Sequence, residues 1–197
     1  MKQSAFLAWV FRMPLIKRWG LMHCVKTEDV AQHSQQVAVV AHLLVVIKNT
    51  RYGGSLSPEK AATIAMFHEV SETRLQDANH IIKYHNKEYT KEYKKLELMA
   101  EKECLATLPS DLRYAYADLI IQDNVDPEYH VVVKCADWIC AYIKTLDELK
   151  FGNVEFDHVR INLEEKMDVI RKKHPEVNDC LNYFTKNCLV SIDELSC

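Results

Sequence analysis

The sequence predicts an all-α fold, an irregular bundle of six to eight helices, and three observations carry that expectation. Only four glycines and five prolines punctuate the 197 residues, and they fall between long stretches. Within those stretches the apolar residues recur at the three- to four-residue spacing of a helix face. No segment alternates apolar and polar residues long enough to demand a strand. No Pro/Gly/Ser-rich linker divides the chain, and a hydrophobic content of 48% suffices for one core, so residues 1–197 read as a single domain.

Taken in order, the first helix starts at a Ser4 cap and stops before Pro14. A loop through Lys17-Arg18-Trp19-Gly20 follows. Thr27, with Glu28 and Asp29 behind it, opens a helix to about Asn49, the acids complementing the helix dipole. Its apolar stripe is Val30, Val37, Val40, Ala41, Leu44 and Ile47. Ser57-Pro58-Glu59 combines a cap with proline at the first helical position and predicts a helix to about Arg74. A loop with Asp77 and Asn79 comes next, then helices near 86–107, 110–122, 127–150, 154–172 and 176–190, bounded by Pro109, Pro127, Gly152 and Pro175.

Bulk properties narrow the function. A net charge of −3 without a block of like charges argues against binding nucleic acid polymers. The basic residues Arg12, Lys17 and Arg18 follow the first apolar stretch instead of preceding it, unlike a signal peptide. The most apolar run, Val37 to Ile47, is short for a bilayer and contains His42, so no membrane association and a cytoplasmic location are expected. Seven cysteines without a CxxC pair read as buried thiols.

Chemistry enters where ionisable residues interrupt apolar faces. His33 lies in the stripe Val30–His33–Val37–Val40, and His68 follows Ile64 by four residues, with Glu69 next and Glu72 beyond. Asp137 interrupts the apolar run from Val131 to Tyr142, where a carboxylate is costly to bury unless paired or bound to a cation. Any one of these alone reads better as a hydrogen-bonded core residue, and together they could also satisfy one another as a metal-free polar network. Two imidazoles and two carboxylates on three helices nevertheless suit a divalent ion such as Mn, Co, Fe or Zn, with positions left open for water and a phosphoryl oxygen.

The order His33, His68-Glu69, Asp137 resembles the HD superfamily of metal-dependent phosphohydrolases. The blocks MKQS, LIKRWGLMHCVKTEDVAQHSQQVAVVAH, AMFHEVSETRLQD and VKCADWICAYIKTLDELKFGN are similar to the bacterial HD-domain 5′-deoxynucleotidases of the YfbR type over most of the first 155 residues. That resemblance implies one divalent ion (Co, Mn, Zn, Fe or Mg) on His33, His68, Glu69 and Asp137, and a homodimer. It implies hydrolysis of 2′-deoxynucleoside 5′-monophosphates, with Arg18 on the 5′-phosphate and Trp19 against the sugar, penalising a 2′-hydroxyl. Glu72 becomes the general acid/base, supported by its i,i+4 relation to His68, and Asp77 lies at the site's mouth.

Two departures keep alternatives open. The second member of the HD pair is glutamate, which leaves a retuned, a weakened or a catalytically silent nucleotide-binding site possible. The loop Thr73–His80 lacks the glycine that the family places before the equivalent of Asp77, and Arg74 and His80 are added cations. A deoxynucleoside triphosphate, cleaved to release triphosphate, is therefore the alternative substrate, dATP in particular.

Overall fold

The computed structural model describes residues 3–196, without the side chains of His80 and Ser196. Its α-helices are α1 (Phe6–Val10), α2 (Val30–Tyr52), α3 (Pro58–Phe67), α4 (Glu72–Leu75), α5 (His80–Lys83), α6 (Lys87–Ala106), α7 (Arg113–Ile120), α8 (Pro127–Lys150), α9 (Asp157–Ile170) and α10 (Pro175–Tyr183). Seven of these have eight residues or more, so the all-α bundle is borne out. The extended backbone pairs only at one isolated antiparallel bridge, Lys17 with Asp29, among the described residues.

The helix starts follow local chemistry. Asp29, not Thr27, caps α2, its Oδ1 accepting from the Gln32 N–H at 2.8 Å. Ser57 caps α3 ahead of Pro58 as the sequence implies, accepting from the Lys60 N–H at 3.1 Å. Gly53 ends α2 at φ 70°, a left-handed conformation that costs glycine little. The first helix begins after Ala5, and the Ser4 hydroxyl accepts from the Phe6 N–H at 3.2 Å while donating to the Thr107 carbonyl.

The expected helix from Ser57 to Arg74 is interrupted. After Phe67 the chain turns tightly through His68–Ser71, with the Val70 N–H on the Phe67 carbonyl and the Glu72 N–H on the Glu69 carbonyl, both at 3.0 Å, before α4 begins. Packing explains the break. Ile64 and Ala65 of α3 belong to the main core, formed with Val37 and Leu44 of α2, Ile139 of α8, Leu163 of α9 and Val177 of α10. Val70 belongs to a smaller core with Phe6, Cys104, Leu108 and Ile120, and the Trp9 indole N–H donates to its carbonyl at 3.2 Å. The chain changes core between Ala65 and Val70, and the turn carrying His68 and Glu69 is where it crosses.

Helix α2 is by length and composition long enough to cross a membrane, with 23 residues and mean hydropathy 1.4. Half of that apolar stretch is buried, and the helix packs against α3, α8 and α10. Cys104, Cys135, Cys140 and Cys180 are buried free thiols; Cys24 is half-buried, Cys188 is exposed, and Cys197 lies outside the described residues.

Candidate metal centre

Four side chains from three places in the fold converge. One donor atom from each of His33, His68, Glu69 and Asp137 lies within 4.8 Å of the others. His33 comes from the second turn of α2, His68 and Glu69 from the turn after α3, and Asp137 from the middle of α8. Two donors on opposite sides of an ion at about 2.1 Å would be about 4.2 Å apart, so this spacing is that of a coordination sphere before contraction.

Hydrogen bonds preset the donors. His68 Nδ1 is 2.6 Å from the Ala65 carbonyl, which can only accept, so the proton is on Nδ1 and the lone pair on Nε2. His68 Nε2 is buried without a hydrogen-bond partner. An orphaned acceptor costs about 1–3 kcal/mol, and a cation at this point would remove that cost. Burial lowers the His68 pKa, in the direction of the neutral ring that a ligand must be. His33 Nε2 lies 3.1 Å from Asp137 Oδ1, while Lys134 Nζ donates to Asp137 Oδ2 at 2.6 Å. Although burial opposes its charge, Lys134 and His33 hold the Asp137 pKa well below the ordinary carboxylate range. These residues fit a divalent cation.

Glu69 keeps its place despite the longer side chain, with Oε1 3.4 Å from His68 Nε2. Burial disfavours its charge, but His68, Arg18 and Lys83 outweigh that and bring its pKa to about 2. Glu72 is the opposite case. It is buried, Oε2 has no partner, and burial together with Glu69 and Asp77 raises its pKa well above normal. The helical i,i+4 argument for Glu72 is corrected here: the turn separates it from His68, and its proximity to Glu69 places it at the centre instead.

Arg18 and Trp19 reach the same place from the loop before α2. Burial works against the Arg18 charge, but the carboxylates of Asp137, Glu69, Glu28 and Asp77 raise its pKa. Trp19 takes a left-handed backbone, φ 60°, and its N–H donates to Asp77 Oδ2 at 3.1 Å. The Trp19 ring meets Phe156 edge-on, with centroids 5.3 Å apart. Asp77 is half-buried, and burial leads the causes that raise its pKa. Arg74 points elsewhere, its exposed side chain pairing with Glu103 at 3.0 Å, and the side chain of His80 lies outside the described residues.

Sequence reasoning missed two residues. Glu28, read as a charge at the helix start, lies before α2 and is buried, with Oε2 accepting from both Arg18 and Trp19. Lys134, read as part of an apolar run, pairs with Asp137. The only sequence signal for Lys134 was its i,i+3 spacing from an inward-facing acid.

Residues 5–190 match the family described as 5′-deoxynucleotidase YfbR-like. The chain is 42% identical over 198 residues to a 5′-deoxynucleotidase of Vibrio cholerae, covering 100% of both. It is 41% identical over 196 residues to the 5′-deoxynucleotidase YfbR of Salmonella newport, covering 100% of this chain and 98% of that one. Among solved structures, an HD-domain phosphohydrolase from Listeria innocua has the same fold, with TM-score 0.81 at 16% identity over 97% of this chain and 91% of that one. The cyanophage S-2L HD phosphohydrolase, bound to dA and one catalytic Zn2+ ion, gives TM-score 0.66 at 18% identity over 95% and 98%. On sequence match and fold together, this chain belongs to the YfbR-like 5′-deoxynucleotidase family.

Proposed function

We propose that this chain hydrolyses 2′-deoxynucleoside 5′-monophosphates to deoxynucleoside and inorganic phosphate, using a divalent ion held by His33, His68, Glu69 and Asp137. The observation that carries the reading is the four-donor cluster with a bare, buried His68 Nε2 and a buried acid of raised pKa, Glu72, beside it. Such an ion supplies Lewis-acid stabilisation of phosphoryl charge and lowers the pKa of the attacking water.

The chain's own residues do the rest. Arg18 binds phosphate oxygens and orients the phosphorus toward the cluster. Trp19 packs near the sugar and penalises a 2′-hydroxyl. As the bond from phosphorus to the 5′ oxygen breaks, Glu72 delivers its proton to that oxygen, and water oxygen bonds to phosphorus. The proton lost by the water restores Glu72. Asp77 takes no proton in this scheme; it holds the Trp19 backbone at the mouth of the site. A homodimer remains the expectation carried by the resemblance, and a cytoplasmic location the one carried by composition.

One observation favours a second reading, hydrolysis of a deoxynucleoside triphosphate with release of triphosphate. A cavity of about 220 Å³ adjoins His68 and Glu69, and Lys94 in its lining is a cation able to meet further phosphates, whereas Lys83 pairs with Glu97 and Lys134 with Asp137. Assays with dAMP, dATP and AMP, with Mn, Co, Zn, Fe or Mg added separately, test both. Phosphate and deoxyadenosine from dAMP are expected. Triphosphate from dATP with dAMP inert would overturn the monophosphate reading, and no turnover with any ion would leave a silent binding protein.

A further inference from the structure

We propose that Glu28 is a positioning residue that couples phosphate binding to selection against the 2′-hydroxyl, by holding the Arg18 guanidinium and the Trp19 indole on one carboxylate oxygen. The proposal rests on the roles given above to Arg18 and Trp19. Glu28 Oε2 accepts from Arg18 Nε at 3.0 Å and from Trp19 Nε1 at 2.9 Å. Glu28 is only 6% exposed, so both bonds are sheltered from water.

The chemistry suits the task. An indole N–H is a donor with no alternative role, and when buried it needs an acceptor. Arg18 is engaged through Nε, and the two terminal nitrogens of a guanidinium are the pair whose fork matches phosphate oxygens. The guanidinium carbon also lies 5.6 Å from the centre of the Trp19 ring, so the two groups form one unit. Because both donors converge on the same oxygen, neither can move without disturbing the other.

That unit is referenced to the metal centre by the backbone. The Arg18 N–H donates to the Glu28 carbonyl at 3.0 Å, and the Val30 N–H donates to the Ile16 carbonyl at 3.0 Å. The His33 N–H donates to the Asp29 carbonyl, also at 3.0 Å, so the clamp joins the first turn of the helix that carries His33. Asp29 does the capping of α2, which frees the Glu28 side chain from that duty. The other end of Trp19 is fixed by Asp77, which holds its strained backbone. Indole and main chain are thereby fixed by two acids from different parts of the fold.

The test is steady-state kinetics with dAMP and AMP on the metal-loaded wild type, Glu28→Gln, Glu28→Asp, Trp19→Phe and the double variant Trp19→Phe/Glu28→Gln, with bound metal and thermal unfolding measured on each. Glu28→Gln is expected to raise the KM for dAMP about tenfold and lower the ratio of kcat/KM for dAMP over AMP by a similar factor, the scale of one charge-assisted hydrogen bond. Metal content should be unchanged. Glu28→Asp keeps the charge but reaches less far, and the same ratio should fall to an intermediate value. In the Trp19→Phe background, where the indole N–H is gone, Glu28→Gln should still raise the KM but change the ratio no further. A ratio within twofold of wild type in both Glu28 variants overturns the proposal. So does an equal loss of kcat for both nucleotides at unchanged KM, since that is general damage. A wild type that treats dAMP and AMP alike instead overturns the underlying role of Trp19.

Discussion

Glu69 Oε1 lies 3.4 Å from His68 Nε2, so consecutive residues of one turn offer two donors to the same point. The tight turn after α3 makes this possible, and the extra methylene of glutamate is accommodated without leaving the cluster. Removing the carboxylate in Glu69→Ala is expected to strip most bound metal and reduce kcat/KM for dAMP by at least about 100-fold. Glu69→Asp should keep both metal and activity, to within about tenfold. Elemental analysis of the purified variants alongside the dAMP assay checks the pair. Full metal content in Glu69→Ala would remove Glu69 from the ligand set.

Glu72 is buried, its Oε2 is unpartnered, and burial beside Glu69 and Asp77 raises its pKa well above the ordinary carboxylate range. As the proton donor to the leaving oxygen it is worth about 10²–10⁴ in rate. Glu72→Ala should lose that factor in kcat while dAMP still binds, as titration calorimetry on the variant can measure. Retained kcat would assign the proton transfer elsewhere.

Gln76 has φ 62° and ψ 170°, a region used almost only by glycine, directly before Asp77. Strain of this kind costs about 1–3 kcal/mol. Glycine relieves it but loses more chain entropy on folding, about 0.5–1 kcal/mol. The first term wins, so Gln76→Gly should stabilise the protein by about 1 kcal/mol, measured by urea unfolding. A destabilised variant would mean that the strain is absent in solution.

How far these features were legible in the sequence follows from where their causes lie. His33 and Asp137 were legible because charge on an apolar stripe is costly to bury, and a helical period shows which side faces inward. His68 and Glu69 were legible as residues, but the turn bearing them was not. The stretch from Ser57 to Arg74 holds no glycine and, after Pro58, no proline, and the break comes from two cores competing for Ala65 and Val70. The strain at Gln76 was half-visible: the missing glycine implied lost freedom, yet the backbone kept the conformation that glycine serves. Glu28 was hidden by its neighbours, since Thr27 and Asp29 made every residue there look like part of a helix start.

Far from the centre, Glu148 of α8 carries the pH dependence that is simplest to test. It is 1% exposed and accepts from the Val25 and Lys26 N–H groups, from Asn153 Nδ2 and from Lys144 Nζ, tying the segment before α2 to α8. Burial disfavours its charge, but Lys144, Asn153 and the two backbone donors outweigh that and bring its pKa from 4.5 to about 2. A carboxylate with a lowered folded-state pKa contributes stability above its unfolded value and loses it as pH falls through the folded one. The contribution is therefore complete above about pH 4.5 and gone near pH 2, and the shift corresponds to about 3 kcal/mol. Glu148→Gln should be less stable than wild type by about that amount at pH 7, since Lys144 also loses its counter-charge. The gap should close on acidification through this window, as urea unfolding at a series of pH values would show. A gap that stays constant from pH 7 down to pH 3 would mean that Glu148 acts by shape and not by charge.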